Sequence, residues 1–89
     1  MVLKMAKLLL TPQAQAELKA LPASQREHTY LALRDLAKGT IFGLKLWNLD
    51  DIYSLETPWG ARILYRKTRN ELQVLGVESS HKDFALVIE

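Results

Sequence analysis

Apolar positions near the start of the chain predict a short strand that passes directly into a helix. The run Leu8–Leu10 is most simply assigned to a buried strand over about residues 5–10. Thr11 is suited to cap a helix, Pro12 is suited to the first helical position, and Pro22 ends the helix. One apolar stripe of this helix comprises Ala14, Leu18 and Leu21.

A second helix is predicted directly after the first. The run Ser24–Glu27 has the capping-box pattern, with serine as the cap and glutamate at the third helical position. The helix is expected to end near Lys38, because Gly39 suits the position just beyond a helix end. Two short helices with so brief a connection must pack as an antiparallel pair.

The second half of the chain changes to the period of β-strands. Apolar and β-branched residues are concentrated in the runs 52–57, 61–67 and 72–77, and turn residues separate them at 58–60 and 68–71. The pattern predicts a meander of three antiparallel strands. The third run is apolar at nearly every position, so we expect it in the interior of the sheet.

Alternation also predicts the register of the first hairpin. Tyr53 is placed opposite Tyr65 and Leu55 opposite Ile63, because a slip of one residue would turn half of these side chains towards water. The connection is then the three residues 58–60. The four side chains share the face that packs against the helices.

The opposite face of this hairpin is predicted to carry two arginines. Glu56 lies opposite Arg62 in the same register, and Arg66 lies further along the strand. Arg62 either contacts a ligand or simply pairs with Glu56 across the strands. Two helices on one face of a mainly antiparallel twisted sheet give an α+β fold with the order β-α-α-β-β-β.

Composition places these elements in one soluble domain, residues 1–89. The 89 residues include no cysteine, which excludes disulfides and thiolate metal sites, and the formal net charge is only +2. No apolar run approaches the roughly 20 residues that a membrane-spanning helix needs. The N-terminus lacks the pattern of a signal peptide, so a cytoplasmic protein without a membrane contact is expected.

Four local runs together resemble the RelE/ParE superfamily of small bacterial toxins. Leu10–Ala14 is similar to the passage from the family's first strand to its first helix, and Leu44–Leu49 is similar to the approach to its second strand. Ile52–Leu55 followed by Ala61–Tyr65 resembles the family's Tyr-x-Leu and Arg-Ile-x-Tyr hairpin. The resemblance covers nearly the whole chain.

The resemblance implies the toxin of a type II toxin–antitoxin pair, which a cognate antitoxin covers in a hetero-oligomer. It implies a ribosome-dependent mRNA endoribonuclease, or in the ParE branch an inhibitor of DNA gyrase. Such ribonucleases use no metal and no cofactor. They activate the ribose 2′-hydroxyl against the adjacent phosphate, which needs a base, cations around the phosphate and an acid for the leaving oxygen.

The resemblance also assigns catalytic residues. Arg62 matches the hairpin arginine that contacts the phosphate, and Lys45 matches the lysine before the second strand. The tail is similar to that of YafQ-like toxins, in which His81 would be the general acid or base and Lys82 would stabilise charge.

Three further residues are expected to contact substrate, and two depart from the family pattern. Arg66 would stabilise charge, Phe84 would stack on a base, and Trp59 at the hairpin tip would contact a partner. Ser54 and Glu56 stand where the RelE branch has lysines. A ParE-type gyrase inhibitor, or a catalytically degenerate member that only binds its antitoxin, therefore stays open.

Two features are left without an assigned role. Lys67, Arg69 and Lys82 form a predicted basic rim, although charged loops are usually just solvated. The apolar tail from Phe84 to Ile88 is either a last strand or a helical turn, and is a candidate edge for the antitoxin to complete. The two histidines are not spaced as metal ligands, so no metal site is expected.

Overall fold

Two helices and a mixed five-stranded sheet make up the part of the chain that the computed structural model describes, residues 6–46, 51–58 and 61–79. Their bounds are β1 Lys7–Leu10, α1 Pro12–Ala20, α2 Ala23–Lys38, β2 Leu44–Lys45, β3 Ile52–Glu56, β4 Ala61–Lys67 and β5 Glu71–Ser79. The strand order is β1-β5-β4-β3-β2. β1 runs parallel to β5, and the other pairs are antiparallel. The predicted α+β fold is confirmed.

The helix boundaries agree with the sequence except at the start of α2. The Thr11 hydroxyl accepts a hydrogen bond from the Ala14 N–H at 3.1 Å, which is the predicted cap of α1. The predicted capping box at Ser24 is wrong, because α2 begins two residues earlier, at Ala23. Pro22 is its N-cap without a side-chain cap, and the Pro22 carbonyl accepts from the Arg26 N–H at 2.9 Å. Gly39 ends α2 in the left-handed conformation, with φ of 80°.

The register predicted for the first hairpin is confirmed. Tyr53 pairs with Tyr65 and Leu55 pairs with Ile63. The Thr57 N–H donates to the Ala61 carbonyl at 2.7 Å, which closes the hairpin at the expected position. The middle and end of the connection, residues 59–60, lie outside the described residues.

The third predicted strand is interior, as expected, but it is longer than its apolar run. β5 lies between β1 and β4 and extends to Ser79. A bulge interrupts its pairing with β4 between Leu64 and Tyr65. The sequence missed β2, a two-residue strand whose length is too short to show an alternating pattern.

The core lies between the helices and one face of the sheet. From the sheet it receives Ile63, Tyr65, Leu72, Val74 and Val77, and from the helices Ala14, Leu18, Ala32, Leu33 and Leu36. β1 pairs with β5 only over residues 71–74, so among the described residues the later part of β5 has no strand partner on that side. There the Glu17 carboxylate of α1 accepts a hydrogen bond from the Val77 N–H at 2.8 Å. A helix side chain thus satisfies a backbone donor that the sheet leaves unpaired.

Tyr65 fixes the segment that leads into β2. Its hydroxyl accepts a hydrogen bond from the Gly43 N–H at 2.8 Å, and its ring stacks on Tyr53 with centroids 5.4 Å apart. A Cβ atom at residue 43 would lie 2.6 Å from the Ser54 carbonyl oxygen, so only glycine fits. Burial raises the pKa of Tyr65 above 10.0, and the adjacent Tyr53 also raises it, against the opposing effect of the Gly43 hydrogen bond.

Candidate functional site on the open sheet face

The two predicted arginines lie on the sheet face that the helices do not cover. Tyr65 and Ile63 of β4 point into the core. Because side chains alternate along a strand, Arg62, Leu64 and Arg66 point to the other side. We call this side of the sheet the open face. The order of inward phenol rings and outward guanidinium groups is therefore the predicted one.

Arg62 lies between two carboxylates on the open face. Its cross-strand neighbours are Glu56 on β3 and Glu78 on β5. The guanidinium Nη1 is 3.7 Å from Glu78 Oε1, with the two side chains 39% and 45% exposed. A pair this exposed contributes at most about 1 kcal/mol to stability. The sequence suggested Glu56 as the partner, and the extension of β5 to Ser79 explains why Glu78 takes that place.

Arg66 has a different environment from Arg62. Its cross-strand neighbours are Ile52 and Gln73, neither of which is charged. It is exposed, and among the described residues it forms no ion pair. Leu64 lies between the two arginines on the same face, so they do not form a continuous cationic surface.

Summed over its described strands, the open face has balanced charge. The register places three basic residues and three acidic residues on this side: Lys7, Arg62, Arg66, Glu56, Glu71 and Glu78. Lys7 lies directly beside Glu71, as Arg62 lies beside Glu78. Nucleic-acid phosphates are bound by an excess of cations. The described part of this face offers no such excess.

Lys45 does not join the two arginines. It is exposed on β2 and is the cross-strand partner of Tyr53. Directly paired residues point to the same side of a sheet. Lys45 therefore lies on the side of the tyrosines, with the sheet between it and Arg62.

Four other predicted site residues lie outside the described residues. They are Trp59, His81, Lys82 and Phe84. Their roles stay predictions, as does the idea that the apolar tail forms an edge. Among the residues that the structure describes, no group of three or more histidine, cysteine, aspartate or glutamate side chains is arranged to hold a metal ion. Neither of the two described helices has the length and hydropathy needed to cross a bilayer.

An apolar groove between α2 and β3 is a feature that the sequence reasoning missed. Its volume is about 360 Å³. The apolar lining includes Leu31, Ala32, Ile41, Leu55 and Pro58. Leu31 is 47% exposed although its side chain is large and apolar. We call this feature the α2 groove.

The edge of the sheet at β2 also carries exposed apolar side chains. Phe42 and Leu44 are 68% and 80% exposed, and β2 is the last strand in the sheet order. Large apolar side chains this exposed are typical of surfaces that a partner covers.

Comparisons with known proteins identify the fold. No family model matches the chain, and no curated protein matches it. Two helices packed on a five-stranded mixed sheet define a small α+β domain that also occurs in a solved structure. That structure is titled "Chromosomal ParDE TA system from P. aeruginosa", and one of its chains superimposes with a TM-score of 0.68. The match has 17% identity and covers 84% of this chain and 96% of that chain. At this identity the likeness shows a shared fold.

Proposed function

We propose that this chain is the toxin of a type II toxin–antitoxin pair and that it acts as a ParE-type inhibitor of DNA gyrase. The shared fold with a chain of a ParDE toxin–antitoxin structure supports the general role. The sequence resemblance to RelE/ParE toxins rests on local motifs and not on the fold comparison, and it supports the same role. Gyrase is a cytoplasmic enzyme, so the proposal keeps the location expected from the sequence.

The balanced charge of the open face is the observation that favours gyrase binding over RNA cleavage. Cleavage through the 2′-hydroxyl develops negative charge on the phosphate, and cations must stabilise it. Arg62 is the best-placed cation, but Glu56 and Glu78 flank it on both sides. The Arg62–Glu78 pair itself is cheap to break. The two carboxylates would nevertheless remain beside the phosphate and repel it.

A ribosome-dependent endoribonuclease is the second candidate, and Arg66 is the observation that favours it. Arg66 is exposed on the same face as Arg62 and has no acidic cross-strand neighbour. In this candidate His81 is the general acid or base and Phe84 stacks on a base. Lys82 and Lys45 would then supply positive charge, and Trp59 would contact the RNA or the ribosome.

The α2 groove is the proposed seat of the antitoxin. A cavity of about 360 Å³ lined by Leu31, Ile41 and Leu55 suits the apolar side chains of a peptide. Asp35 and Glu56 at its margin favour a peptide that carries basic residues beside the apolar ones. In this proposal the antitoxin binds on the helix side of the sheet.

Two assays on the purified full-length chain test the function. We expect inhibition of DNA supercoiling by purified gyrase, and no cleavage of ribosome-bound mRNA in a toeprinting assay. The double variant R62A/H81A should still arrest growth when it is expressed without an antitoxin. Codon-position cleavage that this variant abolishes would establish the endoribonuclease instead. If the wild-type chain is inactive in both assays, both candidates are contradicted.

A further inference from the structure

Three basic side chains surround one cavity at the end of α2, away from the open face. The cavity has a volume of about 250 Å³. Its basic residues are Lys38 at the end of α2, Lys67 at the end of β4 and Arg69 in the turn that follows. Its remaining lining consists of Ala6, Leu36, Ala37, Gly39 and Asn70. We call this cavity the basic cleft.

Backbone hydrogen bonds hold the walls of the basic cleft together. The Ala6 N–H donates to the Ala37 carbonyl at 2.9 Å, which joins the start of β1 to the end of α2. The Lys7 N–H donates to the Asn70 carbonyl at 2.8 Å, which joins β1 to the turn that carries Arg69. The cleft is therefore built from three elements that are fixed to one another, and not from a single solvated loop.

The charge of the cleft stands out against the rest of the chain. Its three cations carry +3 in a chain whose formal net charge is +2, so all other ionisable groups together carry −1. None of the described residues that line it is acidic. Within the described ranges 6–46, 51–58 and 61–79, none of the three cations forms an ion pair. An anion in the cleft would be attracted by all three charges.

A helix C-terminus usually disfavours an anion, but the end of α2 is already satisfied. The Asp35 carbonyl accepts from the Thr40 N–H at 3.0 Å, and the Leu36 carbonyl accepts from the Gly39 N–H at 3.1 Å. The Ala37 carbonyl accepts from Ala6. These donors offset much of the partial negative charge at the helix end. Lys38 is therefore not required as the helix cap and is available to a ligand.

Lys67 of the cleft also has an aromatic neighbour, which itself lies outside the cleft lining. Its Nζ lies 5.2 Å from the centroid of the Phe42 ring, within the range of a cation–π contact. Its register partner on β5 is Leu72, a core residue, which places Lys67 on the helix side of the sheet. The basic cleft is thus separated by the sheet from Arg62 and Arg66.

We propose that the basic cleft binds the phosphate groups of a ligand. Lysine and arginine side chains are the usual partners of phosphate oxygens, and three of them around one small cavity can contact a phosphate from several directions. The apolar floor formed by Ala6, Leu36 and Ala37 leaves room for a less polar part of the same molecule. The phosphate belongs either to a free phosphate compound or to a nucleic-acid backbone. This site goes beyond the proposed gyrase and antitoxin contacts.

The test compares two variants that lose the same number of charges. K38A/R69A removes two cations of the basic cleft and spares Lys67 with its Phe42 contact. The matched control K19A/R26A removes two cations where α1 ends and α2 begins, at the opposite end of α2 from Lys38. Calorimetric titration of each full-length protein with inorganic pyrophosphate, ATP and a single-stranded RNA oligonucleotide measures binding at low salt. Circular dichroism melts show whether each variant remains folded.

We expect K38A/R69A to weaken binding by about tenfold or more and the control to leave it nearly unchanged. Pyrophosphate or ATP that binds as tightly as the oligonucleotide identifies a free phosphate compound as the source. Tighter binding of the oligonucleotide, with the same loss in K38A/R69A, identifies a nucleic-acid backbone. No binding of any probe by the wild-type chain, or equal losses in both variants, would overturn the proposal.

Discussion

The open face and the basic cleft each carry several cations, but acidic residues alternate with them only on the open face, since none of the described residues that line the cleft is acidic. On the open face the strand register places Glu78 beside Arg62 and Glu71 beside Lys7. In the cleft, Lys38 and Arg69 are brought together from elements far apart in sequence, and no acidic residue lines the cavity. The number of basic residues is therefore a poor guide to an anion site. Which charges become neighbours in the fold decides it.

The largest effect is expected from a change in the segment that leads into β2. Gly43→Ala places a Cβ atom 2.6 Å from the Ser54 carbonyl oxygen, which belongs to the backbone of β3 and cannot easily move. The change also strains the hydrogen bond between residue 43 and Tyr65. We expect a loss of about 2 kcal/mol or more in the free energy of unfolding.

Chemical denaturation measures the effect of Gly43→Ala. Gly39→Ala is an informative comparison, because nothing lies within 4 Å of an added Cβ there and only the positive φ opposes it. That variant should lose about 1 kcal/mol. Equal stability of Gly43→Ala and the wild-type chain would mean that the segment before β2 is not held as described.

The second largest effect is expected from a change that gives the open face an excess of positive charge, as in the basic cleft. Replacing both acidic neighbours of Arg62, in the variant E56Q/E78Q, leaves the open face with an excess of two positive charges over its described strands. We expect the affinity for single-stranded RNA at low salt to rise by about tenfold. Fluorescence anisotropy with a labelled oligonucleotide measures it.

The control for that variant is a pair of acidic residues away from the open face. E17Q is unsuitable because Glu17 accepts from the Val77 N–H. Glu27 and Asp35 lie on α2, so E27Q/D35N changes the charge equally without touching the sheet. If both double variants bind RNA equally, net charge alone explains the gain and the position of the two glutamates is unimportant.

The sequence was sufficient to predict the parts of the fold in which apolar side chains recur with a regular period. Tyr53, Leu55, Ile63 and Tyr65 alternate cleanly, and a slip would expose them, so the register could be read directly. The start of α2 was wrong because two signals competed. Ser24 has the side chain of a cap, but the fixed φ of Pro22 ends the preceding segment and allows the helix to begin at once.

The candidate sites were harder to predict, because they depend on which strands become neighbours. The bulge between Leu64 and Tyr65 shifts the pairing of β4 with β5, and its local mark is a single glycine inside the strand pattern, Gly76, which pairs with Leu64. The contact between Arg62 and Glu78 depends on which residues of β4 and β5 lie opposite one another. The basic cleft needs Lys38 as well as the predicted rim residues Lys67 and Arg69, and only the packing of α2 against the sheet brings them together.

The buried phenol of Tyr65, on the helix side of the sheet, is expected to make the free energy of unfolding depend on pH. Because burial raises the pKa of Tyr65, the folded state favours the neutral phenol. The resulting stability is complete below the ordinary tyrosine pKa of 10.0 and is lost as the pH rises through the higher pKa of the folded state. We expect the free energy of unfolding to fall above about pH 10, and to fall less steeply in Tyr65→Phe.

Denaturant unfolding at a series of alkaline pH values measures that slope. Tyr30→Phe serves as the control, because it removes the hydroxyl of an exposed tyrosine on α2. Tyr65→Phe should also lose stability at neutral pH, because the Gly43 N–H would then lack its acceptor. Identical slopes in Tyr65→Phe and the wild-type chain would show that the buried phenol does not control alkaline unfolding.

The smallest effect is expected at the ion pair that defines the open face. Arg62 and Glu78 are 3.7 Å apart and about half exposed, so water and salt screen their attraction. A double-mutant cycle with R62A and E78Q should give a coupling energy below about 1 kcal/mol that disappears at high salt. A coupling above about 2 kcal/mol would mean that Arg62 is firmly held by its carboxylate. Arg62 would then be a structural residue, and any role in binding RNA would require a large rearrangement of the sheet surface.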